Sequence, residues 1–411
     1  MWFNQWYRGQ PRIRRAPRRK PSARGQVRLR LEQLEDRTLP STFYAATASD
    51  LVADIKAANK AGGSNTIVLT APTSSPYVLT AVDNTTDGPT GLPVIKSPDN
   101  LTIVGNGDTI ERATTIPFSG VPDFRLYDVA KGASLTLENL TLQNGFVFGD
   151  VQQASAQGGA IYNQGTLVLS VVTVQGNSVL GDTGTFANNA KSNGGPGQDV
   201  AGGGIWSNGS LTLENGTLIQ NNQVQGGRGG DVYNGSSTSH GGSVGNAFGG
   251  GVYIASGTAN LGGVTLSRNS AYGGQGGAAL ASNGGNGGGA FGGGLAVALG
   301  TVTLSSATVQ SNTAQGGSGP NAYGGAASGG GIDLVGGTLV LCRTTVQSNT
   351  AQDGSGLLGS LRSLGGGIHI TAGATAYLDA FTVANTLSNT DSSGLNGATA
   401  NIDGTYFQQN C

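Results

Sequence analysis

The sequence predicts an all-β fold: a right-handed, single-stranded parallel β-helix, a solenoid with a short N-terminal capping helix. Glycine supplies 73 of 411 residues, whereas charged residues make up only 11%, so the composition disfavours a helical protein. Short glycine motifs recur along the chain, and the segments between them alternate apolar and polar residues as β-strands do. A strand-rich unit that repeats and stacks on itself accounts for all of these observations.

Six glycine motifs mark the repeat. The aliphatic residues that follow the glycines are separated by 44, 47, 43, 37 and 36 residues. The motifs are GGAIYN, GGGIWS, GGGVYI, GGGLAV, GGGIDL and GGGIHI, with this aliphatic residue at Ile161, Ile205, Val252, Leu295, Ile332 and Ile368. Unequal spacings predict a rung of constant design that carries a loop of variable length.

Each rung contains two further strand signals, which are clearest in TVTLSSATVQSN at residues 301–312. Here Val302, Leu304 and Val309 are expected to point into the coil and the intervening threonines into solvent. A rung therefore holds three predicted strands: the glycine-motif strand, an L-x-L strand and a T-[VL]-x-x-N strand.

An asparagine follows an inward aliphatic residue by three positions at one corner of five successive rungs. We expect the aliphatic residues to form one buried column and the asparagines a stacked ladder. Asparagine tolerates the left-handed backbone of a bend, and stacked amides can hydrogen-bond to one another. The five pairs are Val174 and Asn177, Leu218 and Asn221, Leu266 and Asn269, Val309 and Asn312, and Val346 and Asn349.

The chain divides into three predicted regions: a basic disordered leader at 1–41, an N-terminal cap at 42–99, and the β-helix at 100–411. The leader has ten Lys or Arg residues and no acid up to Arg30, whereas residues 38–411 have 11 basic and 20 acidic residues. In the cap, Ser49 is the expected N-cap of a helix that buries Leu51, Ile55 and Ala58, and the strand TIVLTAP follows.

Two parts of the sequence resemble known families. DLVADIKAANKAGGSNTIVLTAP, LTLENLTLQNG and the glycine motifs resemble bacterial pectin-lyase-like β-helix surface proteins, including the polymorphic outer-membrane repeat type, over about residues 45–410. LRLEQLEDRTLPS at residues 29–41 resembles an N-terminal motif of large exported planctomycete proteins. The second resemblance implies an extracellular or cell-surface destination. The F-x-x-N motif of the polymorphic repeats has Val or Leu here in place of the aromatic residue.

Enzymes of this fold use clustered carboxylates, and the body offers Glu138, Glu214, Asp333 and Asp379 on or beside strands. Glu138 and Glu214 share a predicted column with Ser170 between them, about 10 Å apart at strand spacing. That separation is borderline for glycoside hydrolysis, and a basic partner is missing.

The two histidines offer no general base either. His240 lies in a Ser- and Gly-rich loop, and His369 lies on the outer face of its strand. Neither has a sequence neighbour that would make it a general base.

Metal and cysteine patterns are equally incomplete. GGPGQDVA and GGRGGDVYN match the start of a calcium-binding nonapeptide and present Asp199 and Asp231, but they lie 32 residues apart instead of in tandem. Cys342 and Cys411 match no metal motif and are too few for a disulfide framework. We therefore assign no catalytic, cofactor-binding or metal-binding residue from the sequence.

The leading hypothesis is a monomeric, non-enzymatic, exported or cell-surface protein with an adhesion, matrix or structural role. Polysaccharide or cell-surface components are the expected partners, bound by Gly/Ser/Asn-rich loops on one side of the coil. These loops are expected to be mobile, because they contain few apolar groups to offset their ordering entropy. They begin at Gly181, Gly226, Gly273, Gly316 and Asp353.

Two alternatives stay open. One is a polysaccharide lyase or hydrolase of the pectin-lyase-like fold with an atypical site. The other is a nucleic-acid-binding protein that uses the Arg-rich leader, although we expect no nucleic-acid partner. A membrane span is not expected, because the sequence contains no run of 18 apolar residues.

Overall fold

The computed structural model describes residues 40–114, 120–149, 156–188, 192–233, 239–279, 283–392 and 398–411. All but the last two residues of the predicted leader lie outside these ranges. The described chain is a parallel β-helix, which confirms the predicted fold class. Its strands form four sheets, and the strands in each sheet pair in parallel with those of the next rung.

Sheet 1 has 17 strands and forms two faces of the coil. Early rungs cross both faces with one long bent strand, and later rungs use two short strands. The strands are Ser41–Ala45, Ser64–Leu69, Tyr77–Leu79, Asn100–Arg112, Ser134–Gln143, Thr166–Gln175, Ser210–Glu214, Leu218–Gln220, Thr258–Gly262, Thr265–Ser267, Thr301–Ser305, Thr308–Gln310, Thr338–Cys342, Thr345–Gln347, Thr375–Leu378, Thr386–Leu387 and Phe407–Gln408.

Three smaller sheets complete each rung. Sheet 2 contains the glycine-motif strands: Tyr127–Val129, Ile161–Asn163, Ile205–Ser207, Val252–Ile254, Leu295–Val297, Ile332–Leu334, Ile368–Ile370 and Ile402–Asp403. Sheet 3 follows the asparagine corner: Phe146–Phe148, Ser178–Leu180, Gln223–Gln225, Ser270–Tyr272, Thr313–Gln315, Thr350–Gln352 and Thr390–Asp391. Sheet 4 precedes the glycine motif: Ala156–Gln157, Val200–Ala201, Ala247–Phe248, Ala290–Phe291 and Ala327–Ser328.

The rung therefore has more strands than the three that the sequence predicts. Sheets 3 and 4 enclose a second apolar core of small residues, separate from the main core inside sheets 1 and 2. Its members are Val147, Ala156, Val179, Val200, Val224, Ala247, Ala271, Ala290, Ala314, Ala327 and Ala351. Strands of two or three residues are too short to show an alternation in sequence, which is why they were missed.

The main core follows the predicted alternation. Val302, Leu304 and Val309 are fully buried, and their neighbours in adjacent rungs continue the same columns. The capping helix α1 (Ala48–Ala61) buries Leu51 and Ile55 together with Ala58, as predicted.

The start of helix α1 differs from the prediction. Its N-cap is Thr47 and not Ser49, since the hydroxyl of Thr47 accepts a hydrogen bond from the N–H of Asp50. Two shorter helices, α2 (Ala380–Ala384) and α3 (Ala398–Asn401), lie near the C-terminal end. In the described part of the chain, no helix is long and apolar enough to cross a membrane.

The predicted asparagine ladder is confirmed, and it runs further than the sequence indicated. The Oδ1 of Asn312 accepts hydrogen bonds from the backbone N–H and the amide Nδ2 of Asn269, both at 3.0 Å. The Nδ2 of Asn312 donates to Oδ1 of Asn349 and to the carbonyl of Leu266, also at 3.0 Å. The ladder consists of Asn177, Asn222, Asn269, Asn312, Asn349, Asn389 and Asn401.

One rung of the predicted ladder was wrong by one residue. Ile219 and Asn222 occupy the places predicted for Leu218 and Asn221, because Ile219 pairs with Val174 and is fully buried. Asn221 has a left-handed backbone, with φ 55°, as do the residues that precede other ladder asparagines. The ladder therefore selects asparagine for its amide hydrogen bonds, and the preceding residue makes the bend.

The two cysteines form a disulfide across 69 residues of sequence. Cys411 is joined to Cys342, which ends a strand of sheet 1. The bond holds the segment after Gln408 against the last rungs. This pairing could not be predicted from the spacing of the two cysteines, because it depends on how the final rungs stack.

The described parts of the glycine segments between sheets 3 and 4 are closely packed and bond to neighbouring rungs, a packing that the sequence did not predict; their expected mobility stays a prediction. In GGRGGD, at residues 226–231, the N–H of Gly226 donates to Tyr272 O of the next rung. The N–H of Gly227 donates to Gln198 O of a returning segment, and both distances are 2.8 Å. The pattern repeats every three residues in several rungs and forms a glycine lattice, in which main-chain hydrogen bonds replace apolar contacts.

We predict that Asn312→Ala lowers the free energy of unfolding by about 3 kcal/mol or more, because it leaves the buried partners on Asn269 and Leu266 unsatisfied. The change is measured by urea denaturation, with unfolding monitored by circular dichroism. Asn260→Ala, on the exposed face of sheet 1, is the matched control and should change it little. Equal midpoints for the two variants would contradict the structural role of the ladder.

A second substitution tests the glycine lattice. In Gly277→Ala the new Cβ would lie 2.0 Å from the carbonyl oxygen of Gly230, so the backbones must separate and lose hydrogen bonds. We expect a loss of about 3 kcal/mol, in the range of overpacked cores. Gly120→Ala, where a Cβ meets nothing within 4 Å, is the control for thermal melting. If Gly277→Ala and Gly120→Ala have the same melting temperature, the packing of these glycine segments does not contribute to stability.

Candidate functional site

The middle residue of each three-residue strand in sheet 2 lies outside the main core, and Asp403 continues the same position in the last strand. Strand register places these residues in one continuous column, here called the outer column of sheet 2. Its members are Asp128, Tyr162, Trp206, Tyr253, Ala296, Asp333, His369 and Asp403. The column carries aromatic rings in its middle and charged groups at both ends.

Aromatic residues from sheets 2 and 4 combine into an aromatic groove, defined by Tyr162, Trp206, Phe248, Tyr253 and Phe291. The rings of Tyr162 and Trp206 are stacked with centroids 4.4 Å apart, and those of Phe248 and Phe291 are stacked at 5.0 Å. Phe248 also contacts Tyr253 at 5.9 Å. Trp206 is buried and the other four rings are half-buried, so ring surface remains accessible along the groove.

A cleft of about 730 Å³ adjoins the N-terminal end of the aromatic groove, and Asp87, Asp123, Arg125 and Tyr162 are among its lining residues. Arg125 is buried, and its guanidinium lies 5.0 Å above the Tyr162 ring. It donates hydrogen bonds to the carbonyl oxygens of Asp87 at 2.8 Å and of Gln157 at 3.1 Å. Burial lowers the pKa of Arg125, although nearby carboxylates oppose this change.

Asp128 lies beside this cleft, one rung before Tyr162 in the outer column. Burial, with a smaller contribution from the charge of Asp87, raises the pKa of Asp128 to about 6, although Arg125 opposes the shift. Within the ranges that the structure describes, its two carboxyl oxygens have no hydrogen-bond partner. A carboxyl group with such a pKa exchanges protons near neutral pH, a property that general acids and bases share.

A polar cluster occupies the C-terminal end of the outer column. The Nδ1 atom of His369 lies 2.7 Å from Oδ1 of Asp333, and its Nε2 atom lies 3.7 Å from Oδ2 of Asp403. Ser328 donates a hydrogen bond to the same Oδ1 of Asp333, at 2.8 Å. Because Ser328 bonds to the aspartate and not to the imidazole, the cluster is not arranged as a base-activated nucleophile.

The sequence placed His369 on the outer face correctly but missed its partner. Asp333 lies 36 residues earlier and becomes adjacent only because the two residues occupy the same position in successive rungs. A signal was available: the residue after each motif aliphatic reads Tyr, Trp, Tyr, Ala, Asp and His in the six motifs. Aligned as a column, that position predicts the neighbouring rings of Tyr162, Trp206 and Tyr253 and the Asp333–His369 pair.

The other acids that the sequence singled out do not converge. Glu138, Ser170 and Glu214 share a column, as predicted. Glu214 accepts a hydrogen bond from Asn215, which also bonds to Ser170. Asp379 caps helix α2 and accepts hydrogen bonds from the backbone of Arg343 and Thr382.

The two loop aspartates are engaged within the glycine lattice. Asp199 accepts a hydrogen bond from the N–H of Asn246. Asp231 accepts two hydrogen bonds from the Arg228 guanidinium, at 2.6 and 2.8 Å, and one from the N–H of Ala278. Burial alone would raise the pKa of Asp231, but these hydrogen bonds hold it below its ordinary value. In the described ranges, no three His, Cys, Asp or Glu residues are grouped as metal ligands.

Comparison with protein-family models, with curated proteins and with solved structures found no match to this chain.

We predict that His369 stabilises the fold more in mild acid than in alkali. Burial lowers its pKa, but the hydrogen bond that it donates to Asp333 and the charges of Asp333 and Asp403 raise it above the ordinary 6.5. Because the pKa of His369 is higher in the folded protein than in the unfolded chain, protonated His369 stabilises the fold. This stabilisation is complete below pH 6.5 and is lost as the pH rises through the pKa of the folded state.

The measurement is the difference in unfolding free energy between the unmodified protein and His369→Gln, taken from urea titrations between pH 5.5 and 9. The difference should be largest at the acidic end. His240→Gln, which changes the other histidine, controls for general pH effects. A difference that is constant or grows towards alkaline pH would contradict the assigned ion pair.

Proposed function

We propose that the protein is an exported or cell-surface β-helix that binds polysaccharide, without cleaving it, along the aromatic groove. The observation that carries this proposal is the run of aromatic rings from Tyr162 to Phe291, all of them half-buried except Trp206. The faces of aromatic rings are electron-rich and attract the polarised C–H groups on the faces of sugar rings. Successive rungs are about 4.8 Å apart, close to the length of one sugar unit in an extended chain.

The flanking polar groups suit the same class of ligand. Arg125 and Asp123 line the adjoining cleft, and Gln157 lies beside them. Saccharide sites combine apolar ring surface with a few oriented polar groups that bind hydroxyls. We assign the binding to the aromatic groove and not to the loops, because the backbone groups of the described glycine segments are engaged in hydrogen bonds to neighbouring rungs.

Export is supported by two independent features. The disulfide between Cys342 and Cys411 is a kind of bond that persists in oxidising compartments and is rare in the cytosol. The sequence LRLEQLEDRTLPS resembles a motif of exported planctomycete proteins, and the body resembles pectin-lyase-like surface proteins. Cell fractionation, with sequencing of the mature N-terminus, tests this part of the proposal.

A specific observation favours a second candidate function, a carbohydrate-active enzyme. The cleft at the end of the aromatic groove gathers Asp87, Asp123 and Arg125, and Asp128 with its raised pKa lies beside it. A lyase or hydrolase needs acids and a basic residue in one groove. Arg125, however, already donates to two backbone carbonyls, which makes it a structural residue first.

Trp206 offers a direct test. With Trp2→Phe and Trp6→Phe in the full-length chain, Trp206 is the sole tryptophan, and its fluorescence should change on titration with soluble polysaccharides. We expect Phe248→Ala with Tyr253→Ala to weaken binding about tenfold or more, as the loss of central aromatic contacts does in other interfaces.

The matched control replaces the aromatic pair Tyr377 and Phe407, which lies on sheet 1 with ring centroids 5.5 Å apart. That variant should bind normally. An unchanged Trp206 signal with every neutral and acidic polysaccharide tested would refute the proposed function. If the unmodified protein releases new polysaccharide chain ends and Asp128→Asn does not, the result would support the enzyme instead.

A further inference from the structure

A second groove runs along the outer face of sheet 3, on strands that the aromatic groove does not use. Register aligns Gln225, Tyr272, Gln315 and Gln352 in one column of successive rungs. The glycine lattice adds polar side chains beside this column, at the third position of its three-residue period. Together they form the amide groove, a cavity of about 520 Å³ whose lining includes Gln223, Gln225, Tyr272, Gln275, Gln315, Ser318 and Ser355.

Glutamines elsewhere on the coil bond to one another. On sheet 1, Gln220 donates to Gln175 and Gln175 donates to Gln143, each at 2.9 Å. Gln347 donates to Gln310 in the same way at 3.3 Å. Stacked glutamines in this protein can therefore satisfy their amides internally.

The glutamines of the amide groove behave differently. Among the described residues, no hydrogen bond joins the side chains of Gln223, Gln225, Gln275 and Gln315 to the protein. Gln225 and Gln275 are exposed, and Gln223 and Gln315 are half-buried. Each amide offers two donors and an acceptor in one plane, so the groove presents a row of free hydrogen-bonding groups at rung spacing.

The residues that line the amide groove favour an uncharged ligand. The cavity contains amides, hydroxyls and one half-buried tyrosine ring, and its lining has no carboxylate, ammonium or guanidinium group. A charged polymer would find no counter-charge there to offset its desolvation. Sugar hydroxyls both donate and accept hydrogen bonds, which matches amides, and a sugar face can stack on the Tyr272 ring.

We propose that the amide groove is a second saccharide site, which takes an uncharged polysaccharide chain laid along the coil axis. The inference extends the proposed polysaccharide-binding function but rests on different residues from the aromatic groove. Sugar units placed at successive rungs would meet Gln225, then Tyr272, then Gln315. The neutral lining sets it apart from the charged cleft around Arg125.

The test compares two glutamine double variants of the full-length chain. Gln225→Ala with Gln315→Ala removes two free amides of the groove. Gln310→Ala with Gln347→Ala removes two amides that bond to each other on sheet 1, and serves as the matched control. The probes are soluble xyloglucan, which is uncharged, and polygalacturonate, which is carboxylated, with affinities measured by calorimetry.

We expect the groove variant to lose at least tenfold in xyloglucan affinity, with no change for polygalacturonate and no change in thermal midpoint. The control variant should bind xyloglucan as the unmodified protein does. Failure of the unmodified protein to bind xyloglucan, unchanged affinity in the groove variant, or an equal loss in the control would each overturn the inference.

The aromatic-groove variant, Phe248→Ala with Tyr253→Ala, separates this inference from the proposed function. If that variant alone abolishes binding of both polymers, the amide groove is not a site and the proposed function stands. If only the glutamine variant weakens binding, the amide groove is the saccharide site and the aromatic groove is not.

Discussion

The structure depends on one constraint, the parallel register between successive rungs. Every inward column, including the one that contains Val309, requires each residue to lie directly above its counterpart, since a shift by one residue would turn the inward side chains outward. The asparagine ladder fixes that register at one corner. Because Asn312 bonds to the backbone and the side chain of Asn269 and also to Asn349, two neighbouring rungs cannot slide without leaving buried polar groups unsatisfied.

The glycine lattice extends the same register to the part of the chain where the rungs differ in length. A glycine such as Gly277 lies so close to the Gly230 carbonyl that no Cβ fits, and this closeness makes the main-chain hydrogen bonds possible. Most of the variation in rung length falls within these segments. The side chains at the third position, such as Gln275 and Ser318, lie beside sheet 3 on backbone that bonds to neighbouring rungs.

Patterns within one rung, and their repetition at the same position of the next, predicted the core and the asparagine ladder, whereas the details that were missed depend on how particular rungs stack. The alternation around Val302 and Leu304 and the burial of Leu51 and Ile55 follow from neighbours in the sequence. The register at Asn222 was wrong by one because two asparagines stand in tandem there, and only stacking decides between them. The Asp333–His369 pair spans 36 residues and depends on the exact length of the intervening rung, which single-chain patterns do not determine.

The repeat leaves few positions at which a side chain is not needed for packing and can bind a ligand. In a motif such as GGGVYI, the glycines pack against neighbouring backbones, and Val252 and Ile254 are buried in the main core. Only the middle residue, Tyr253, is free of the scaffold, and it lies in the outer column. Rings placed there leave apolar surface in contact with water, which a stable coil does not require. The proposed polysaccharide would cover this ring surface, since a polymer that runs along the coil axis meets the rungs in turn.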